Sequence, residues 1–522
     1  MSVLPVGIAS SGAYTIQKSV RFRASGGPGA MTRTFGAAGS RRIWTHSVWL
    51  KRGALNSVQQ FLTVGATAND ITTFALTADN KLDSLNNIGG STVARLTSSA
   101  VLRDDSGHYH CVVAWDTTNA TANNRIRMWI NGVEQTSFTT RVNPALNQDT
   151  QVNTAAAHWI GRSSVASANH IDGGLSEINH IDGLALTAAS FGEFDANGIW
   201  VPKKYTGPYG TNGYYLPFND GTNLTNLCLD RSGNGNHFTA SGISLTAGAT
   251  YDWMDDTPSN SFCTLSKLSG NAEAVVANGN LSLSSSIPGS IYGTCWGTHA
   301  FSSGKYYWEC TQTSTSQVSA GVSGIATNYS GYVGSSSDSW GYISNSGQKF
   351  TGGAGSAYGP TTTTGDVIGV AMDADSKTLT FYKNGVSMGT AFTGMPSIAY
   401  LPMFATIADV LNVNFGQRPF AYAPPSGFVA LNTRNLTGTT ITTSGTFQGN
   451  ALVDGPRVWL NGVPTAMTIN GNAVTFGTQA DKLANGFKVR SSSAGYNASG
   501  TNTYSVSFTG GAFKTARAQI NP

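Results

Sequence analysis

Three short phrases set the terms of this chain: Met128-Trp-Ile-Asn-Gly-Val133, Phe381-Tyr-Lys-Asn-Gly-Val386 and Val458-Trp-Leu-Asn-Gly-Val463. Each places an aromatic residue two positions before Asn-Gly and Val after it. A two-residue type I′ turn needs positive φ at both central positions, which Asn and Gly reach at least cost. Strand-forming residues on both sides make each phrase the tip of a β-hairpin. The phrases lie so far apart that three separate domains, each with its own hairpin, account for them better than one repeated unit.

The rest of the chain agrees with a β protein. Long helical periodicity is nearly absent, whereas alternation is common. In Val410-Leu-Asn-Val-Asn-Phe415, for example, Leu411, Val413 and Phe415 share one face. Hydrophobic residues make up 40% of the 522, enough for sizeable cores, while charged residues are only 11%, which predicts a neutral, hydroxyl-rich surface. The net charge of +4 comes without a basic run, so nothing points to nucleic acid. No apolar run is long enough to span a membrane as a helix, and the first residues lack the pattern of a secretory signal. The five cysteines, at 111, 228, 263, 295 and 310, are odd in number and have no metal-ligand spacing, so they are expected as free thiols.

Turn-rich stretches suggest the divisions. Residues 1–20 show no core pattern and read as a docking segment. Residues 21–220 form a first block, 221–262 a connector, 263–425 a second block and 437–522 a small last domain, all β-sandwiches apart from the docking segment and the connector.

Within the second block, Ser339-Trp-Gly-Tyr342, Gly365-Asp-Val-Ile-Gly-Val370, Leu379-Thr-Phe-Tyr-Lys-Asn-Gly385 and Gly389-Thr-Ala-Phe392 resemble the SPRY domain, a bent β-sandwich. The first block resembles the laminin-G or concanavalin-like jelly roll in Ile43-Trp-Thr-His-Ser-Val-Trp-Leu-Lys-Arg52, His108-Tyr-His-Cys-Val-Val-Ala-Trp-Asp116 and Gly174-Leu-Ser-Glu-Ile-Asn-His-Ile-Asp-Gly183. The last domain is similar to an immunoglobulin-like sandwich. Gly210-Thr-Asn-Gly-Tyr-Tyr-Leu-Pro-Phe218, Asp230-Arg-Ser-Gly-Asn-Gly-Asn-His237 and Asn414-Phe-Gly-Gln-Arg-Pro-Phe420 look like phrases of tailed-bacteriophage virion proteins. That resemblance implies a virion surface protein, assembled in the bacterial cytoplasm: a short tail fibre or receptor-binding appendage. The alternatives are a head fibre or capsid decoration protein and, from another class, a carbohydrate-active depolymerase. Its implied partners are other virion proteins of tail or head and a host glycan or protein receptor, and a homotrimer is the implied assembly.

Chemistry is sparse in the sequence. Glucanases of the concanavalin-like class carry paired carboxylates on alternate strand positions. The five glutamates here, 134, 177, 193, 273 and 309, form no such pair, so no catalytic residue and no enzyme activity is expected. His108 and His110 share a strand face at a spacing that zinc uses, and Asn169-His-Ile-Asp-Gly173 and Asn179-His-Ile-Asp-Gly183 each put an Asp in a turn of the kind Ca²⁺ takes. Buried strand residues and two successive turns explain the same patterns, so no cofactor is assigned. For binding, two stretches at 326–338 and 351–364 interleave Tyr with Gly and Ser, as antibody loops do. Tyr329, Tyr332 and Tyr358 are the candidate contact residues, with the loops around Tyr209 to Tyr215 next in line. Trp340 and Tyr342 fall in a strand phrase and are expected in the core.

Overall fold

The computed structural model describes residues 14–436 apart from 196–197, 315 and 325–330. Beyond 436 it describes 440–448, 454–459, 463–475, 480–483, 486–490, 495–497, 501–509 and 518–519. The chain is all-β: Leu224–Leu227 is the single α-helix among the described residues. The described residues divide into two units, one comprising those up to Ser259 with a short excursion at Ala277–Asn280, the other holding the remainder.

The first unit is a jelly roll of two eight-stranded antiparallel sheets. Ile43–Arg52 lies at the centre of one sheet, between His108–Asp116 and Gly173–Asp182. The second sheet runs from Phe138–Val142 through Ser91–Val101, Lys81–Ile88, Asp70–Leu76, Gln59–Thr67, Ala157–Ile160 and Ala30–Thr34 to Thr239–Ser241. Alternation along the strands sends Trp44, Val48, Phe61, Phe74, Val113 and Trp115 into the space between the sheets. There the rings of Trp44 and Trp115 stack at 5.5 Å. The first hairpin tip has the φ values that its sequence demands, +46° at Asn131 and +76° at Gly132, and Val133 pairs back on Ile130.

Two divisions drawn from the sequence need correcting. The segment 1–20 is not simply a docking lead: Ile16 is buried, and Ser19–Phe22 is a strand between Gly173–Asp182 and Trp253–Met254. The connector 221–262 is part of the jelly roll. Thr239–Ser241 extends the second sheet on Ala30–Thr34, and Leu227, Cys228, Phe238 and Ile243 fill the core. Both segments escaped notice because their strands are only two to four residues long, too short to show a period.

In the second unit, one sheet carries Ala274–Ala277, Ser282–Ser285, Leu411–Asn414, Lys305–Gln312, Val367–Asp373, Thr378–Lys383 and Val386–Phe392 in that order. The other carries Gly293–Trp296, Tyr400–Thr406, Val318–Gly324, Ser339–Ile343, Gln348–Thr351 and Ala354–Ala357. Trp308, Tyr342, Phe381, Phe404 and Phe415 are fully buried in this sandwich, and Trp340 is nearly so. Its hairpin tip, Asn384 and Gly385, again has positive φ. The block does not stop at 425, because Val429–Ala430 pairs in parallel with Tyr306 and Tyr307, and Leu431 and Leu436 are buried. The last domain contributes two four-stranded sheets. The third phrase, Asn461-Gly462, lies outside the described residues, but Asn470-Gly471 makes a further tip of the same type, at φ +49° and +80°.

Candidate binding surface

The three candidate tyrosines of the second unit have different fates. Tyr329 lies outside the described residues. Tyr332 is half-buried in a segment clamped on both sides. The Thr294 hydroxyl donates to the Gly331 carbonyl at 2.7 Å, and the Val333 N–H donates to the Ser319 hydroxyl at 3.1 Å. Gly334, at φ +98°, sits where a Cβ would strike the Phe350 carbonyl, so the chain needs glycine to lay Tyr332 down. The Tyr332 ring meets Phe350 edge-on at 5.2 Å and Tyr292 at 5.9 Å.

Tyr358 is tied differently. Its hydroxyl donates to the Gly389 carbonyl and accepts the Phe381 N–H at 3.2 Å, while its ring lies against Tyr342 and Phe381. Burial raises its pKa. Tyr358 thus closes one side of the sandwich. Part of the stretch 351–364 is also strand, because Gln348–Thr351 and Ala354–Ala357 form a hairpin about Gly352-Gly353. Neighbouring positions on a strand point to opposite faces. Phe350, which meets Tyr332, and Lys349, whose ammonium lies 5.8 Å from the Tyr358 ring, therefore place the two tyrosines on opposite faces of this sheet.

Sequence reasoning missed the exposed apolar residues of the loop that leads to Tyr292. Ile287 and Ile291 are 45% and 41% exposed, in a loop held by Gly289 N–H on the Ile407 carbonyl, and Ile291 adjoins Tyr292. Two isoleucines in Ser286-Ile-Pro-Gly-Ser-Ile291, a loop composition otherwise free of large apolar residues, were the available sign. Tyr292, Tyr332 and Phe350, with the isoleucines of the adjoining loop, offer aromatic and aliphatic surface on hydrogen-bonded backbone. Such a surface supplies contact area at little conformational cost.

The residues considered for metals have partners within the protein. His110 accepts the Trp200 indole N–H at 3.0 Å, touches the Ser47 hydroxyl at 2.8 Å and stacks on Trp49 at 4.6 Å. His108 lies with its ring 3.7 Å from Asp256, which also takes Lys51. Asp182 accepts Ser40 N–H, Asn212 N–H and the Asn153 amide, and Asp172 accepts Asn278 and Gly279 N–H. N–H donors therefore already engage both oxygens of each of these carboxylates. Among the described residues no three His, Cys, Asp or Glu side chains are grouped to hold a metal. Tyr214 and Tyr215 of the jelly roll are buried rather than displayed. All five cysteines are free and buried.

Comparison with known proteins falls on the same two blocks. Residues 305–418 match the SPRY domain model, and residues 27–190 match the model described as the concanavalin A-like lectin/glucanases superfamily. The chain is 36% identical over 124 residues to Ran-binding protein 10 of Danio rerio, covering 23% of this chain and 20% of that protein. It is 37% identical to Ran-binding protein 9 of Homo sapiens, covering 23% and 17%. It is 36% identical over 104 residues to the E3 ubiquitin-protein ligase RKP of Arabidopsis thaliana, covering 19% and 8%. The chain thus spans about a fifth of the length of the first of these relatives. It is also similar to the crystal structure of the SPRY domain of human HERC1, over 30% of this chain and 99% of that one, at 20% identity and a TM-score of 0.27.

These relatives correct the functional expectation drawn from the sequence. They are animal and plant proteins, not phage tail fibres. The tail-fibre, head-fibre and depolymerase readings are set aside, and with them the virion location, the virion partners, the host receptor and the homotrimer. The misreading came from loop phrases such as Gly210–Phe218, whose turn residues report a local geometry more than a function. What stands is the domain content: the chain carries a concanavalin A-like domain in its first unit and a SPRY domain in its second.

Proposed function

We propose that this chain is a non-enzymatic binding protein whose SPRY domain takes a protein partner on the rim built from Tyr292, Tyr332 and Phe350 with Ile287 and Ile291. The observation that carries the reading is the pair of half-exposed isoleucines in the loop leading to Tyr292, whose ring belongs to an aromatic cluster with Tyr332 and Phe350. Apolar side chains held in water gain by burial against a partner, at roughly 25 cal/mol per Å² of apolar area covered. Aromatic residues in fixed positions are typical anchors of such interfaces. Tyr358 supports the sandwich and does not touch the partner. No catalytic residue is assigned and no cofactor takes part.

A surface-displayed library of random peptides, selected against the full chain and counter-selected against Tyr332→Ala, tests the reading. Enrichment of sequences with apolar anchors that bind wild type at least tenfold more tightly than Tyr332→Ala is the expected result, about 1.4 kcal/mol. Selected binders that ignore Tyr332→Ala and Ile291→Ser alike would overturn it.

A further inference from the structure

The first unit contains a carboxyl group in an unusual position. Glu177 lies in the strand Gly173–Asp182 at a bulge, where the pairing with Ile43–Arg52 shifts register between Ser176 and Asn179. Its own φ is +50°, a left-handed conformation that costs a non-glycine residue about 1–2 kcal/mol. The side chain is 3% exposed. Tyr14 donates its hydroxyl to Glu177 Oε1 at 2.7 Å, and Tyr215 does so at 2.9 Å. The two hydroxyls lie 2.8 Å apart. Tyr209 approaches through Asn179, whose side-chain oxygen accepts its hydroxyl at 2.7 Å. Among the described residues no cation forms an ion pair with Glu177. Lys204, exposed, contributes only at a distance, and Asp230 is engaged by the Tyr215 N–H.

We propose that Glu177 is a proton-operated latch: its neutral carboxyl holds the segment Tyr14–Ile16 down on the first unit, and its ionisation favours release of that segment. A buried carboxylate without a cation is costly, and water reaches it only if one of its tyrosines moves. Tyr215 belongs to the strand Tyr214–Leu216, paired on Gly173–Asp182, so its backbone is held by the sheet. Tyr14 lies in no strand. Its segment is held by its hydroxyl, by the Ile16 N–H donated to the Ser259 hydroxyl at 2.9 Å, and by the Ile16 side chain. That side chain packs in a cluster with Trp49, Trp129, Phe191 and Trp200. Lifting Tyr14–Ile16 is therefore the cheapest route to a solvated carboxylate, and it uncovers part of this aromatic cluster.

Burial raises the Glu177 pKa from 4.5 to about 7, against the smaller opposing effects of Tyr14, Tyr215 and Lys204. The sign follows. A pKa higher in the closed than in the open form makes closure most favourable below pH 4.5, and closure weakens as pH rises to about 7 and then levels off.

Hydrogen exchange of the full chain, read by mass spectrometry on peptides covering 14–18 and corrected for intrinsic rates, tests the latch. Protection of the Ile16 amide should fall at least tenfold between pH 5 and pH 7.5 in the wild type and stay flat in Glu177→Gln. Selective ¹³C labelling of the five glutamates should show one carboxyl titrating near pH 7. Tyr14→Phe leaves the bulge intact and should reduce protection at pH 5 at least fivefold, which keeps the test open if Glu177→Gln folds poorly. Protection independent of pH in the wild type, the same pH slope in Glu177→Gln, or full protection at pH 5 in Tyr14→Phe would each overturn the proposal.

Discussion

Arg21 and Asp252 are 231 positions apart in the chain and 2.9 Å apart in space, both almost fully buried. Arg23 reaches the same carboxylate at 3.1 Å. Arg21 also donates to the Ala249 and Tyr251 carbonyls, and Arg23 to those of Gly26 and Gly242. One carboxylate between two arginines thus fastens the returning chain at 244–256 onto the strand Ser19–Phe22, beside the edge strand Trp253–Met254. Asp252→Asn should leave two buried guanidinium groups without their counter-charge and cost the first unit about 3–5 kcal/mol. Urea unfolding followed by tryptophan fluorescence measures this; a loss below about 1 kcal/mol would mean that the clamp is dispensable.

Of the buried histidines of the first unit, four have pKa values that burial pushes down, to about 3 at His46 and His110, about 4 at His158 and well below 6.5 at His180. They fold neutral and take up protons on unfolding. Their contribution is therefore complete above pH 6.5 and is lost as pH falls from 6.5 toward 4. All four act in the same direction, so together they outweigh the single opposite trend of Glu177. The melting temperature of the first unit should drop steeply between pH 7 and pH 5. A level profile would contradict the buried, neutral assignment.

Tyr358→Phe removes one hydroxyl that both donates to Gly389 and accepts from Phe381. The SPRY unit should lose about 1 kcal/mol, the usual net value of such a bond, while affinity for a bound partner stays the same. Equilibrium denaturation and a binding isotherm on one preparation separate the two effects. Affinity falling with unchanged stability would assign Tyr358 to the interface.

Gly132 and Gly389 both have positive φ, +76° and +84°. Around Gly389 a Cβ would meet nothing within 4 Å, whereas at Gly132 it would lie 2.2 Å from the Trp200 ring. Gly389→Ala should therefore cost only the backbone strain, about 1–2 kcal/mol. Gly132→Ala should cost distinctly more, because Trp200 must leave its place against His110. Equal losses in thermal unfolding would show that the Trp200 contact carries no weight.

The strand-rich class, the hairpin tips and the SPRY phrases were legible because each rests on local chemistry: Asn-Gly at positive φ, alternation along Leu411–Asn414, and Trp340 and Tyr342 in a strand phrase. The clamp of Arg21 and Arg23 on Asp252 was not, since nothing near either arginine in the sequence announces a partner two hundred residues away. For the same reason Tyr358 read as a loop residue: its anchors, Phe381 and Gly389, come from other strands. At the rim, Tyr332 was named from composition. Phe350 and Tyr292 were not, because only the register of Gln348–Thr351 on Ser339–Ile343 and the clamp on Gly331 bring them to it.

The rim itself is tested most directly by hydrogen exchange of the full chain with and without a selected peptide bound. The account predicts slowed exchange at 286–293, 331–335 and 348–352, with 354–358 unchanged. Protection confined to other parts of the SPRY unit, with these three segments exchanging as in the free chain, would contradict it.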